Sequence, residues 1–216
     1  RKDIRRAQHH ETLGNTAHVI ECSHVSYGYS SDALVLTDIN LKIAPRECLA
    51  LVGRSGSGKT TLARLIGGSL SALDGTIRVL GKPVGNGEFP TDKYEDGRPR
   101  LLVCTQEAHI FFGTVIDNFT AVVPEATEKQ IGELPQGLKT RIGTGEHELT
   151  RDQIQQLALA RIVAANPHAV ILDESTTQLE LVNATESLQA VLANRAVLII
   201  SHDARIASLA DRAVLL

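Results

Sequence analysis

The chain has 216 residues, 43% of them hydrophobic, which is enough for one ordinary domain with a sizeable core and a small subdomain. Its formal net charge of −3 mixes both signs along the length, which argues against a nucleic-acid-binding surface. No stretch approaches the roughly 20 apolar residues of a membrane-crossing helix, and no signal-peptide pattern opens the chain, so the composition reads as a soluble, cytosolic-type domain.

The basic opening "RKDIRR" reads as a solvated tail. Residues 19–29 and 39–43 alternate apolar and polar positions, as half-buried strands do. "CLALV" (48–52) is apolar throughout and reads as a buried strand running into a glycine-rich loop. "TTLARLIGG" (60–68) has helical spacing and closes on two glycines, a C-terminal stop. "TIRVL" (76–80) reads as a strand, and residues 81–100, rich in Gly, Pro and charge, as a long surface loop.

"LLVCT" (101–105) returns to a buried strand, and residues 107–165 read as largely helical with breaks at Gly113, Pro124, Pro135 and Gly143–Gly145. "AVILD" (169–173) and "AVLII" (196–200) read as strands separated by a helical stretch over 180–193. Strand–helix alternation at both ends predicts an α/β core around a mainly parallel sheet, with a helical insertion in the middle. Cys22, Cys48 and Cys104 are far apart and lack C-x-x-C spacing, which fits buried thiols in a reducing compartment better than disulfides.

"GRSGSGKT" (Gly53, Arg54, Ser55, Gly56, Ser57, Gly58, Lys59, Thr60) matches G-x-x-x-x-G-K-[ST] between a buried strand and a helix, with Thr61 following. Such a loop wraps its backbone N–H groups around phosphate oxygens at a helix N-terminus. Lys59 is expected to reach the β- and γ-phosphates, and the Thr60 hydroxyl to join a Mg²⁺ shell. Chance produces this pattern in roughly one per cent of chains this size, and the strand–loop–helix context lowers that further.

"AVILDEST" (169–176) ends an apolar strand in Asp173 and Glu174. Alone, these would read as two solvated acids capping a strand. Beside a phosphate loop, Asp173 can hold Mg²⁺ and Glu174 can polarise the attacking water as general base.

In order, the phosphate loop, a strand-end glutamine, a Leu-Thr-x-x-Gln helix start, the Asp-Glu pair and "ISHD" make the chain resemble the nucleotide-binding domain of ATP-binding-cassette (ABC) transporters over nearly its whole length. The resemblance implies a P-loop NTPase ABC ATPase fold: a RecA-like α/β core, an antiparallel β subdomain and a helical subdomain over about 107–165, in a domain spanning 19–216 after a linker at 1–18. It implies that Tyr29 stacks on adenine, with Tyr27 as an alternative, and that Gln106 binds Mg²⁺ and water at the hinge into the helical subdomain. It implies that His202 lies near the γ-phosphate. Each of these residues in isolation would read as a sheet-edge Tyr, a strand-end Gln and a polar cap. "IFFGTVIDN" (110–118) and "LPQGLKTRIGTGEHELT" (134–150) are similar to exporter segments that receive the transmembrane domain. A place at the cytoplasmic face of the membrane follows from that resemblance, with the membrane domain expected on the same polypeptide.

The family signature Leu-Ser-Gly-Gly-Gln stands here as Leu149, Thr150, Arg151, Asp152, Gln153. Thr150 and Gln153 keep a capping-box spacing. In the family's head-to-tail dimer this element serves the partner's ATP. Arg151 and Asp152 replace glycines that allow close backbone approach, and Glu180 stands where an Asp is usual. An asymmetric heterodimer with a second nucleotide-binding domain accounts for this, and a working homodimer with a tolerant signature is the alternative. Two further readings stay open: a soluble ABC-type ATPase acting on nucleic acid or ribosomes, and a regulatory subunit that binds ATP without hydrolysing it.

Overall fold

The computed structural model describes residues 18–30, 33–85, 93–105, 111, 113–121, 141–142, 151–174, 188–202 and 204–216. Strand β1 (Ile20–Ser30) pairs antiparallel with β2 (Ala33–Ile43) on one side and β4 (Asp74–Val79) on the other. Strand β5 (Lys82–Pro83) completes that sheet in the order β2-β1-β4-β5.

The second sheet is parallel. It joins β3 (Cys48–Val52), β6 (Leu101–Cys104), β9 (Ala169–Asp173), β10 (Ala196–Ile200) and β11 (Arg212–Leu215) in the order β11-β3-β10-β9-β6. Its central strands β3, β9 and β10 are apolar at successive positions because both faces are covered. Leu49, Leu51, Ile171, Leu198 and Ile200 face a core shared with the antiparallel sheet and with helix α1 (Lys59–Ile66). Cys48, Val170, Leu172, Val197 and Ile199 face the opposite core, which is closed by Ala158, Leu159 and Ile162 of α3 (Arg151–Ala165) and by Leu188 and Val191 of the helical segment 188–192. Burying a Leu or Ile in such a layer contributes about 1.5–3 kcal/mol, so the two cores fix the sheet's position between its covering layers.

Helix α1 buries Leu62, Leu65 and Ile66, spaced one turn apart, and ends as its glycines predict. The Ser69 N–H donates to Arg64 O at 2.9 Å and the Gly68 N–H to Leu65 O at 3.1 Å, with Gly68 left-handed at φ 78°. That pair of bonds is a Schellman stop.

Several sequence expectations need correction. The strand expected over 76–80 stops at Val79, because Leu80 (φ 51°) and Gly81 (φ 75°) form a two-residue turn with both φ positive. The stretch 81–100 therefore begins as a hairpin, β4–β5, rather than as open loop. Within 107–165 the described residues include a two-stranded ribbon, β7 (Gly113–Thr114) with β8 (Arg141–Ile142), as well as helix α2 (Val115–Thr120) and α3. Thr114 caps α2 in a capping box with Asp117. Strand β11, at the sheet edge, was not expected. All three cysteines are buried and free, and burial pushes the Cys22 and Cys48 thiols up to about 12. Among the described residues no helix is long and apolar enough to cross a membrane.

Candidate active site

Parallel strands all deliver their carboxyl ends to one edge of the sheet, and a site forms there. The loop leaving β3 turns into α1 through Gly58, the N-cap, at φ 96°. A Cβ at Gly58 would lie 2.6 Å from Leu36 Cδ2, so a side chain there faces both backbone strain and a clash. No side chain caps α1, which leaves the N–H groups of its first turn directed at the loop's concavity, an arrangement suited to an anion.

Lys59 is 5% exposed. Its Nζ donates to Gly53 O at 3.0 Å and Arg54 O at 2.8 Å, with Ser57 Oγ at 3.5 Å. The ammonium thus sits inside the loop, held by carbonyl dipoles.

Next to it, Thr60 Oγ1 donates to Asp173 Oδ1 at 3.3 Å. Strand β10 lies between β3 and β9, yet the two side chains meet in front of it. Burial pushes the Asp173 carboxyl above the usual carboxylate range, against the Thr60 hydrogen bond, and the neighbouring Glu174 charge adds to the rise. A buried carboxylate in that state gains from a nearby cation.

Glu174 adopts φ 51°, unusual for a residue with a side chain, and its N–H donates to Ile200 O at 2.9 Å. This turn sends the Glu174 carboxylate toward the exit of β10, where its Oε1 lies 2.7 Å from His202 Nε2. Nothing in the local sequence announces that pairing. It follows from β9 and β10 being parallel neighbours.

Tyr29, near the end of β1, is 61% exposed and its hydroxyl lies 3.1 Å from Thr61 Oγ1. Tyr27 packs against the core and meets the Tyr29 ring edge-on, with centroids 5.2 Å apart. Tyr27 therefore supports Tyr29, which is the ring available for stacking. A cleft of about 310 Å³ joins Tyr29 to Ser55, Gly56, Lys59, Glu174 and His202. A second cavity, about 540 Å³, lies beyond Thr60 and Asp173 and reaches Arg64, Val103 and Thr105.

The structure thus brings together Tyr29, the phosphate loop, Asp173, Glu174 and His202. Gln106, Leu149, Thr150 and Glu180 lie outside the described residues. Arg151 and Asp152 begin α3, and Gln153 is exposed on its first turn.

A family model described as ABC transporter matches residues 36–177, a span that runs from β2 through the phosphate loop to just past the Asp173–Glu174 pair. This chain belongs to the ABC transporter family. It is 32% identical over 213 residues to the heterocyst differentiation ATP-binding protein HepA of Nostoc sp., covering 91% of this chain and 34% of that protein. It is 33% identical over 214 residues to an ATP-binding/permease protein of Staphylococcus aureus whose name assigns it to multidrug export, covering 91% of this chain and 36% of that protein. Among solved structures, a bacterial Atm1-family ABC exporter with ATP bound superposes with a TM-score of 0.75 at 24% identity, covering 91% of this chain and 37% of that one. The last likeness shows the fold. The chain spans about a third of the length of the relatives it matches.

The residues present fit the ligands that the family implies. An uncapped helix start and an inward lysine suit phosphates, and the exposed Tyr29 ring suits a base. Among the described residues no three His, Cys, Asp or Glu side chains gather to hold a metal. The Thr60 hydroxyl with the Asp173 carboxylate instead suits Mg²⁺, which keeps waters and takes its remaining oxygens from phosphate.

Proposed function

We propose that this domain binds and hydrolyses Mg·ATP as the motor of an ABC exporter. The observation that carries the reading is the convergence at one sheet edge of Lys59, the Thr60–Asp173 pair and the Glu174–His202 pair, in one cleft system with Tyr29.

In this reading Lys59 exchanges its contacts with the Gly53 and Arg54 carbonyls for β- and γ-phosphate oxygens, and the N–H groups at the start of α1 hold the same phosphates. Tyr29 stacks on adenine, a contact worth about 1–3 kcal/mol. Thr60 and Asp173 would hold Mg²⁺, with Gln106 as a further ligand. When bound, Mg²⁺ would neutralise the charge that develops on the phosphates. Glu174 orients the attacking water and accepts its proton, and His202, within hydrogen-bond reach, fixes the direction of that carboxylate. Burial raises the Asp173 carboxyl above its usual range, a cost that cations around it would offset.

Two such domains close head-to-tail around ATP, and hydrolysis reopens them. The altered signature, Arg151 and Asp152 in place of glycines, weakens what this chain offers to its partner's ATP, so the pair is an asymmetric heterodimer. The transmembrane domain, carried on the full-length polypeptide, sets the cargo and holds this domain at the cytoplasmic face of the membrane. The mixed charge along the chain and the names of the relatives give no support to a nucleic-acid or ribosome clamp.

The test is steady-state Mg·ATP turnover of the domain across a wide concentration range. Turnover rising with the square of concentration means that two copies make a competent pair, which removes the heterodimer. Tight ATP binding with negligible turnover that rises on adding the partner domain supports it.

A further inference from the structure

Asn118, in α2, is completely buried and bonded at both ends of its amide. Its Oδ1 accepts from the Phe111 N–H at 2.9 Å, and its Nδ2 donates to Phe111 O at 2.8 Å and Thr114 O at 3.1 Å. One side chain thus pairs with both backbone groups of Phe111, as a strand neighbour would, and also ties the Thr114 carbonyl at the start of α2.

The same Oδ1 accepts a second bond from Nη2 of Arg161, 43 residues away on the third turn of α3. Arg161 is 7% exposed, and its guanidinium carbon lies 5.8 Å from the centre of the Phe111 ring. Phe111 itself is 46% exposed. An apolar ring on the surface therefore has its backbone held by Asn118 and its face by Arg161, and both ties lead to α3. Burying a guanidinium carries a desolvation cost, seen in the lowered Arg161 pKa. A planar fork that bonds Asn118 and stacks on a ring is a use of that charge which lysine does not reproduce.

We propose that Asn118 and Arg161 are positioning residues that fasten Phe111 and Thr114, at the surface, to α3, so that force applied at Phe111 moves the helix that begins with Arg151 and Asp152. Phe111 and Asn118 belong to the "IFFGTVIDN" segment, and the inference rests on the exporter reading, in which that segment meets the transmembrane domain. The cost of burying the charge maintains a rigid link between a docking surface and the helix that addresses the partner's ATP. Without the link the two ends would move independently, while the phosphate loop, whose helix α1 packs in the core on the other face of the sheet from α3, would keep its geometry.

The experiment compares Arg161→Lys and Phe111→Leu in two settings: the full-length transporter assembled with its partner subunit in lipid nanodiscs, with Mg·ATP and no added cargo, and the isolated domain mixed with the isolated partner domain. Both variants are mild enough to fold, and thermal unfolding of each is recorded beside wild type. The expected result is an unchanged KM for ATP in both settings, with kcat lowered roughly tenfold in the full-length protein alone. The double variant should be no worse than the poorer single one, because both break one link. Equal losses of kcat in the isolated domain and the full-length protein would reduce Arg161 to a folding role and overturn the proposal. Unchanged kcat in the full-length variants would overturn it too. Wild-type full-length protein that does not hydrolyse Mg·ATP would instead remove the motor reading itself, and the inference with it.

Discussion

At the carboxyl edge of the parallel sheet, Lys59 points its ammonium at backbone carbonyls and Asp173 meets a neutral hydroxyl. At the amino edge of the same sheet, charges answer charges. His168, just before β9, has its side chain 4% exposed, and its Nε2 lies 3.0 Å from Asp96 Oδ2. Arg98 Nη2 lies 3.2 Å from His168 Nδ1 and 2.7 Å from Asp96 Oδ2. Because the guanidinium is only a donor, Nδ1 accepts from Arg98 and Nε2–H donates to Asp96, which completes the network. The Tyr94 ring lies edge-on to His168, with centroids 5.0 Å apart, and the 93–99 turn is thereby clamped onto the sheet.

The contrast separates two uses of buried polarity. At the amino edge the partners are mutual, and the cluster contributes to the fold. At the carboxyl edge, carbonyl and hydroxyl partners can be exchanged for phosphate and Mg²⁺ without leaving a buried charge unanswered. Substitutions at the first edge should change stability and leave ATP binding alone, and those at the second should do the reverse.

The largest effect is expected from Lys59→Ala. Loss of charged hydrogen bonds worth about 1.5–3 kcal/mol should weaken ATP binding roughly 10- to 100-fold by calorimetric titration, with the unfolding midpoint little changed. Tyr29→Ala should weaken ATP binding on the order of tenfold through lost stacking, while Tyr29→Phe should cost much less. His168→Ala should leave ATP affinity at the wild-type value and lower unfolding free energy by about 1–3 kcal/mol in urea titrations, because Asp96 and Arg98 lose a buried partner. A lower ATP affinity in that variant would break the comparison.

The smallest effect concerns pH. Desolvation works against the Asp96 carboxyl, but hydrogen bonds from Arg98 and His168 outweigh it and hold the pKa at about 2. A depressed carboxyl contributes stability that is present above about pH 4 and fades as the pH falls toward 2. Asp96 is 42% exposed, so solvent screening limits that contribution to below about 1 kcal/mol. Acid unfolding of Asp96→Asn should be correspondingly flatter over that window.

Much of this was legible in the sequence because chemistry and local pattern coincide there. The phosphate loop is contiguous, and "CLALV", "AVILD" and "AVLII" are apolar throughout because both faces of their sheet are covered. Other features depend on contacts across the chain. The Glu174–His202 pair needs the order of β9 and β10, and the clamp on the 93–99 turn needs His168, 70 residues beyond Arg98. Arg161 sits among apolar neighbours in "LALARIV", and no periodicity reveals that its partner is Asn118. Strand β11 escaped notice because it has four residues at a sheet edge, three of them exposed, and lacks the continuous apolar pattern of the central strands. The β7–β8 ribbon pairs two dipeptides, too short for a period-two signal.

The central claim is that the carboxyl edge is an ATP-hydrolysing site with Glu174 as its base. It is tested most directly by Mg·ATP turnover of the full-length protein, assembled with its partner domain, for wild type and Glu174→Gln side by side. The account predicts ATP affinity equal to wild type and turnover reduced about 10²- to 10⁴-fold in the variant. Glu174→Gln turning over ATP at the wild-type rate would contradict it.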